Sequence, residues 1–263
     1  MEDIAGDDGM SVPPSVWRSI LDARRAGRLQ VAEPWGALFG PLVADRAGSW
    51  VIGQLGQSLD GRCATPTGCS HYINGPAAIV HLHRLRALVD AVLVGVGTVA
   101  ADDPALTVRH VDGPSPCRVV IDPRGRIAPH ARVLADDGCR RILVTLPDAA
   151  PPPPGVERLT VRGDRGGRIE PAAIVEALAG LGLRRLLVEG GAVTLSRFLE
   201  ARCLDRMHLA VAPLIIGSGP TGINLPPIDR LDSALRPRTR CYRLGDDVLW
   251  DVDLAAGRSP RGP

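Results

Sequence analysis

The stretch from Val92 to Arg109, VLVGVGTVAADDPALTVR, constrains this chain more than any other. From Ala91 to Val94 it is all apolar, the composition of a strand buried on both faces. It breaks at Gly95 and Gly97, where the missing side chains let a ligand approach the backbone. A binding site is expected where the strand stops. A hydroxyl (Thr98), adjacent carboxylates (Asp102, Asp103), a helix-stopping Pro104 and a cation (Arg109) follow closely. That is more polar chemistry than an ordinary turn carries.

Gly95-x-Gly97-x-x-Ala100 imitates the dinucleotide fingerprint of Rossmann folds. The fingerprint needs a full helix directly after the glycines and an acid roughly 20 positions on. Here Pro104 closes any helix early, and the nearest strand-end acid, Asp122, comes late. The resemblance to that motif is therefore set aside.

A chain of 263 residues can bury a sizeable core as one domain or slightly more. Aromatic residues make up only 3%, so the core must be aliphatic. A net charge of +2, with arginines dispersed along the sequence, argues against nucleic acid as a partner. The acidic start and the lack of a long apolar run point to a cytoplasmic protein without a membrane span. The six cysteines form no C-x-x-C pair and read as reduced thiols, and no metal site is expected.

Residues 1–13 read as disordered, and Ser15 as the cap of a helix from Val16 to Ala26 that Gly27 ends. The segment to Ser49 reads as a loop whose Trp35, Leu38, Phe39, Leu42 and Val43 dock it, as an arm, on the main domain or a partner subunit. The core domain spans residues 50–254, and residues 255–263 read as a frayed tail. Its first strand, from Trp50, bends at Asp60-Gly61 into a long polar loop. Asn74 and Pro76 mark the start of a helix running to about Val89, with Ile79, Leu82, Leu85, Leu88 and Val89 as its apolar stripe.

Arg86 falls inside that stripe and needs an anion, either a core carboxylate or a substrate phosphate. His81 and His83, two positions apart, read as surface histidines. Strands are expected over 117–122, 140–146, 156–161 and 185–188, with a helix over 171–181. Alternating strands and helices indicate an α/β domain around a mostly parallel central sheet flanked by helices. Gly245-Asp246 closes a C-terminal antiparallel hairpin.

A second glycine signal lies in LLVEGGAVTLSRFLE. A buried strand ends at Glu189, Gly190 and Gly191 turn the chain, and a helix from Ala192 aims unpaired amides over the strand ends, as suits a phosphate. Glu189 reads as a cap or loop tether, or as a ligand group at the sheet edge.

Together SLDGR, the loop with Ser70, HRLRALVDAVLVGVGT, ADDPALTVR, PCRVVID, LLVEGG and APLIIG resemble the reductase domain of riboflavin biosynthesis over about residues 50–254. The family includes the reductase half of a bifunctional deaminase/reductase and a stand-alone archaeal-type reductase. The resemblance implies a dihydrofolate-reductase-like fold, a homodimer and NADPH as hydride donor. It implies reduction of 5-amino-6-(5-phosphoribosylamino)uracil at C1′ of its sugar, a phosphorylated pyrimidine substrate. Carried over by motif, Arg62, Ser70, Arg86, Leu106, Arg109 and Glu189 would face the substrate, with Arg86 and Arg109 on its phosphate.

On the same basis Gly56, Tyr72, Thr98, Asp102, Pro123, Gly190, Gly191, Ala192, Val193, Thr194, Leu195, Ser196 and Arg197 would line the cofactor, and by charge and position Arg124 or Arg126 is the candidate for its 2′-phosphate. Asp102 and Glu189 would be the catalytic carboxylates, while Asp103 braces the turn. Tyr72 stands where the family often has tryptophan, and His71 where it has lysine or glutamine. The zinc-deaminase signature, H-x-E followed by P-C-x-x-C, is absent from the sequence, so a separate deaminase is expected. The alternatives are an NADPH reductase of another pyrimidine or a pterin, and a non-catalytic NADPH-binding protein.

Overall fold

A computed structural model describes residues 11–27, 31–71 and 73–255. The strands are β1 (Trp50–Ser58), β2 (Ala91–Gly95), β3 (Cys117–Ile121), β4 (Arg141–Thr145), β5 (Glu157–Thr160), β6 (Arg185–Glu189), β7 (Arg206–Ala212), β8 (Arg238–Leu244) and β9 (Asp247–Asp253). The helices are α1 (Pro14–Ala26), α2 (Trp35–Val43), α3 (Pro76–Leu88), α4 (Val96–Asp102), α5 (Pro171–Gly180) and α6 (Ala192–Glu200). One sheet in the order β5-β4-β3-β2-β6-β1-β7-β9-β8 runs through the molecule. It is parallel from β5 to β7, and the β8–β9 hairpin joins it antiparallel through β9. The expected α/β class, parallel centre and closing hairpin are all present.

The all-apolar composition of β2 follows from its position. Val92 and Val94 enter a core beneath α1, α2 and α3, while Ala91 and Leu93 enter a second core beneath α5 and α6. Every residue of β2 before Gly95 is buried. Alternation of polar and apolar residues has no place in a strand covered on both faces.

Several expectations are corrected. The segment read as a loop contains α2, whose Leu38, Phe39, Leu42 and Val43 are fully buried. Gly36, Gly40 and Pro41 weaken its intrinsic helix preference, and burial of one face supplies what propensity lacks. Trp17 on α1 donates its Nε1–H to the carbonyl of Asp112 at 2.9 Å, and Arg24 pairs with Asp90, so this segment packs on the sheet of its own chain. Ser15 lies within α1, which Pro13 precedes without a side-chain cap. Asn74 likewise does not cap α3; Gly75 precedes it, and Asn74 Nδ2 donates to the carbonyl of Ala210 at 3.2 Å.

His81 and His83 are both buried, against the expectation of surface positions. The C-terminal half of α3 is covered on almost every side, so residues two apart are both enclosed. His81 Nε2 lies 2.9 Å from His208 Nδ1 on β7, and His83 Nδ1 accepts the backbone N–H of Arg109 at 3.0 Å. Residues 1–10 and 256–263, read as disordered and frayed, lie outside the described residues.

Candidate active site

The carboxyl ends of β1, β2, β3 and β6 open into one cleft of about 830 Å³, the edge where ligands sit in open parallel sheets. Two glycine-broken strand ends meet there. Beyond β2, Gly97 borders the cleft, and a side chain at its position would meet nothing within 4 Å. Beyond β6, Gly190 and Gly191 take left-handed conformations, φ 59° and 57°. A Cβ on Gly191 would stand 2.5 Å from Thr98 Oγ1, and one on Gly95 2.6 Å from Thr194 Oγ1. The two turns interlock through these contacts, which only glycine permits.

Helix α6 begins at this junction with no side-chain cap. Its first backbone bond runs from Leu195 N to Gly191 O at 3.2 Å, so the N–H groups of Ala192, Val193 and Thr194 have no intrahelical acceptor. All three residues line the cleft. Uncapped amides at a helix N-terminus, beside an open glycine and apolar walls, fit the pyrophosphate of a dinucleotide.

Asp102 ends α4 and faces the cleft, where it accepts the Ser70 hydroxyl at 3.2 Å. Asp103 turns the other way, with φ 39°, and its carboxylate accepts the Arg132 N–H at 2.8 Å, bracing the turn as expected. Leu106 is also left-handed, φ 54°, and its side chain is buried. Two strained non-glycine residues in one short turn show that the surrounding contacts fix the position of Asp102. Cys63 lines the same cleft, where burial pushes its thiol up and the charge of Asp102 adds to that.

Arg86 and Arg109 both reach Thr107, Arg86 its carbonyl and Arg109 its hydroxyl, and neither borders the cleft. Arg86 is buried and forms a bidentate pair with Glu189, Nε to Oε1 at 2.7 Å and Nη2 to Oε2 at 2.6 Å, and donates Nη1–H to the Thr107 carbonyl at 3.0 Å. The core carboxylate that the sequence allows for Arg86 is thus Glu189. Burial works against its charge, but Glu189 raises its pKa above the ordinary arginine value. Arg109 is exposed and donates to Thr107 Oγ1 at 2.8 Å. Burial, then Arg86 and Arg132, lower its pKa.

Of the other expected residues, Gly56, Ser70, Thr98, Asp102, Pro123 and Arg197 line the cleft, together with the 190–194 segment. Arg62, Leu106, Glu189, Arg124, Leu195 and Ser196 do not line it. Arg62 donates to the Gly219 carbonyl at 3.0 Å, Leu195 is core, and Ser196 Oγ accepts the Asn224 N–H at 2.8 Å. Tyr72 lies outside the described residues. Sequence reasoning missed Asn74, Ile79 and Leu82 as cleft walls. For Ile79 and Leu82 the signal was there in the apolar stripe, which faces the cleft at its N-terminal end and the core further on. Among the described residues no cluster of His, Cys, Asp and Glu suits a metal, and no helix is long and apolar enough to cross a membrane.

Residues 49–249 match the RibD C-terminal domain family. The chain is 36% identical over 216 residues to the 2,5-diamino-6-ribosylamino-4(3H)-pyrimidinone 5′-phosphate reductase of Methanothermobacter thermautotrophicus, covering 78% of this chain and 98% of that protein. It is 36% identical over 200 residues to the riboflavin biosynthesis protein RibD of Mycobacterium tuberculosis, covering 74% of this chain and 51% of that one. The crystal structure of a diaminohydroxyphosphoribosylaminopyrimidine deaminase/5-amino-6-(5-phosphoribosylamino)uracil reductase from Thermotoga maritima superposes with a TM-score of 0.67 at 26% identity, over 78% of this chain and 56% of that one. The chain thus spans about half the length of the bifunctional relatives and nearly all of the archaeal reductase. With the match running from the first strand into the last, the chain belongs to the RibD C-terminal domain family, a family of pyrimidine reductases of riboflavin biosynthesis.

Proposed function

We propose that this protein is an NADPH-dependent reductase that converts the ribosylamino side chain of a phosphoribosylaminopyrimidine into its ribitylamino form. The leading substrate is 5-amino-6-(5-phosphoribosylamino)uracil. Its 2,5-diamino-pyrimidinone counterpart is a second reading, favoured by the coverage of the archaeal relative that carries that name. The observation that carries the proposal is one cleft holding both an uncapped helix N-terminus and the Asp102–Ser70 pair.

When bound, NADPH supplies the hydride that reduces C1′ of the opened sugar. The chain supplies position and electrostatics. The amides of residues 192–194 bind the pyrophosphate, and Gly97 leaves the room that the dinucleotide needs. Asp102 stands at the reacting end, held by Ser70, where its carboxylate orients the reactants and can take a proton as the sugar ring opens. Arg109, exposed and close to Arg86 beyond Thr107, is the cation this reading assigns to the substrate phosphate. Arg86 and Glu189 brace the walls rather than touch the phosphate.

The reading extends to a reductase domain over 50–254 carrying α1 and α2 as an arm, working in the cytoplasm beside a separate deaminase. A homodimer fits the exposed Ile215, Ile228, Leu231 and Leu235, apolar side chains that a second copy would cover. The test is NADPH oxidation by the purified chain with each phosphoribosylaminopyrimidine. Turnover of either supports the reading and its relative rate selects the substrate; no oxidation with both ends it.

A further inference from the structure

Residues 104–116, between α4 and β3, carry Thr107 and Arg109 but belong to no helix or strand. Among the described residues no backbone–backbone hydrogen bond holds them. Side chains hold them instead. Arg86 Nη1 donates to the Thr107 carbonyl, Ser115 Oγ accepts the Val108 N–H at 3.0 Å, and His83 Nδ1 accepts the Arg109 N–H. Those three grips come from α3 and from the segment itself.

The fourth grip comes from α1, which lies outside the residues 49–249 that match the family. Trp17 donates its Nε1–H to the carbonyl of Asp112, three residues past Arg109, at 2.9 Å. The indole is buried and set edge-on to Phe39 of α2, ring centroids 6.0 Å apart, so packing fixes the direction of its N–H. Just beyond, Gly113 passes between α1 and α3 with φ 141°. A Cβ there would stand 2.6 Å from Ala87 Cβ and 3.5 Å from Leu21 Cδ2. A segment without backbone pairing loses its fixed course when a grip is released, and ligand binding must then supply the ordering.

Resting on the assignment of Arg109 to the substrate phosphate above, we infer that Trp17 is a positioning residue. Through its indole N–H, α1 holds the 104–116 segment so that Arg109 is in place before the phosphorylated substrate arrives. Arg86 and His83 grip the segment from α3, and Trp17 grips it from the other side.

Trp17→Phe keeps a buried ring and removes the N–H. It should raise KM for the phosphorylated pyrimidine about two- to tenfold, the size of one net hydrogen bond, with kcat and the KM for NADPH unchanged. Hydrogen exchange of the Val108 and Arg109 amides, both held by side chains, should quicken in the same variant. Arg24→Met removes a different anchor of α1, the pair with Asp90 and the bond to the Leu88 carbonyl at 2.8 Å. It should lower Tm and leave the substrate KM as it was. In an Arg109→Gln background, Trp17→Phe should add nothing to KM. An unchanged substrate KM or unchanged exchange in Trp17→Phe, an equal rise in Arg24→Met, or full additivity with Arg109→Gln overturns the inference while the reductase reading stands. Wild type that oxidises no NADPH with either pyrimidine overturns both.

Discussion

Arg86 and Glu189 hold each other through two parallel hydrogen bonds in the protein interior, joining the last turn of α3 to the end of β6. Glu189 directly precedes the Gly190-Gly191 turn, and Arg86 also holds the Thr107 carbonyl, so the pair ties the α6 N-terminus to the segment carrying Asp102. Removing one partner strands a buried charge. Glu189→Leu and Arg86→Met are each expected to cost about 3–5 kcal/mol, and the double variant much less than their sum. Urea unfolding of the three variants measures this, and additive losses would contradict the coupling.

Asp102 stands in the cleft rather than in the core, so its removal should be read in rate rather than stability. Asp102→Asn keeps the shape and the Ser70 partner but not the charge. Turnover is expected to fall by about a hundredfold or more, with the unfolding midpoint unchanged. Unaltered kcat would take Asp102 out of the chemistry, and a large loss of stability would make it a structural residue.

The parts of this protein legible in its sequence are those whose partners are neighbours in the chain. The buried β2, the glycine break after it and the strand-glycine-helix run from Arg185 to Glu200 each show their physical cause locally. Helix α2 was hidden because its glycines and proline signal a loop, and only contact with the sheet face makes it a helix. The partner of Arg86 lies 103 residues away, and periodicity could show that an anion was needed without showing which. His81 and His83 failed for a related reason: helical spacing separates two faces, and here both are covered. Arg124 and Arg126 carry the same charge two positions apart, and only the turn at Gly125 decides which borders the cleft.

Gly97 and Gly191 are both glycines of the cleft, yet their substitution should act on different quantities. At Gly97 an added methyl meets open space and sits inside α4, so Gly97→Ala is expected to leave the fold as stable or stabilise it by up to about 1 kcal/mol. That methyl occupies room assigned to the dinucleotide, so the KM for NADPH should rise. At Gly191 the methyl would crowd Thr98 Oγ1 at 2.5 Å in a left-handed conformation, and Gly191→Ala should lower Tm as well as NADPH affinity. Thermal melts with NADPH titrations distinguish the cases. Equal destabilisation by the two would mean that the turns do not interlock as described.

The buried histidines make the fold acid-sensitive above the range where carboxylates titrate. Burial, followed by the charges of Arg86, His110 and Arg109, pulls His83 down to about 3, and burial with His208 and Arg84 pushes His81 well below its ordinary value. In the unfolded chain both return to about 6.5. Below that pH the unfolded state binds protons that the folded state refuses, so stability is complete above about pH 6.5 and declines as the pH falls toward 3. Each such histidine contributes a slope of about 1.4 kcal/mol per pH unit in that window. Asp60, held down to about 2 by Ser58 and the backbone amides of Ile216 and Gly217, adds its own loss only below about pH 4, the ordinary aspartate value. Denaturant midpoints taken between pH 7.5 and 5 should therefore fall before any carboxylate titrates. His83→Asn, whose side-chain oxygen can replace Nδ1 as acceptor for the Arg109 N–H, should flatten that fall. A profile level from pH 7.5 to 5, or one with the same slope in His83→Asn, would mean that His83 does not stay neutral inside the fold.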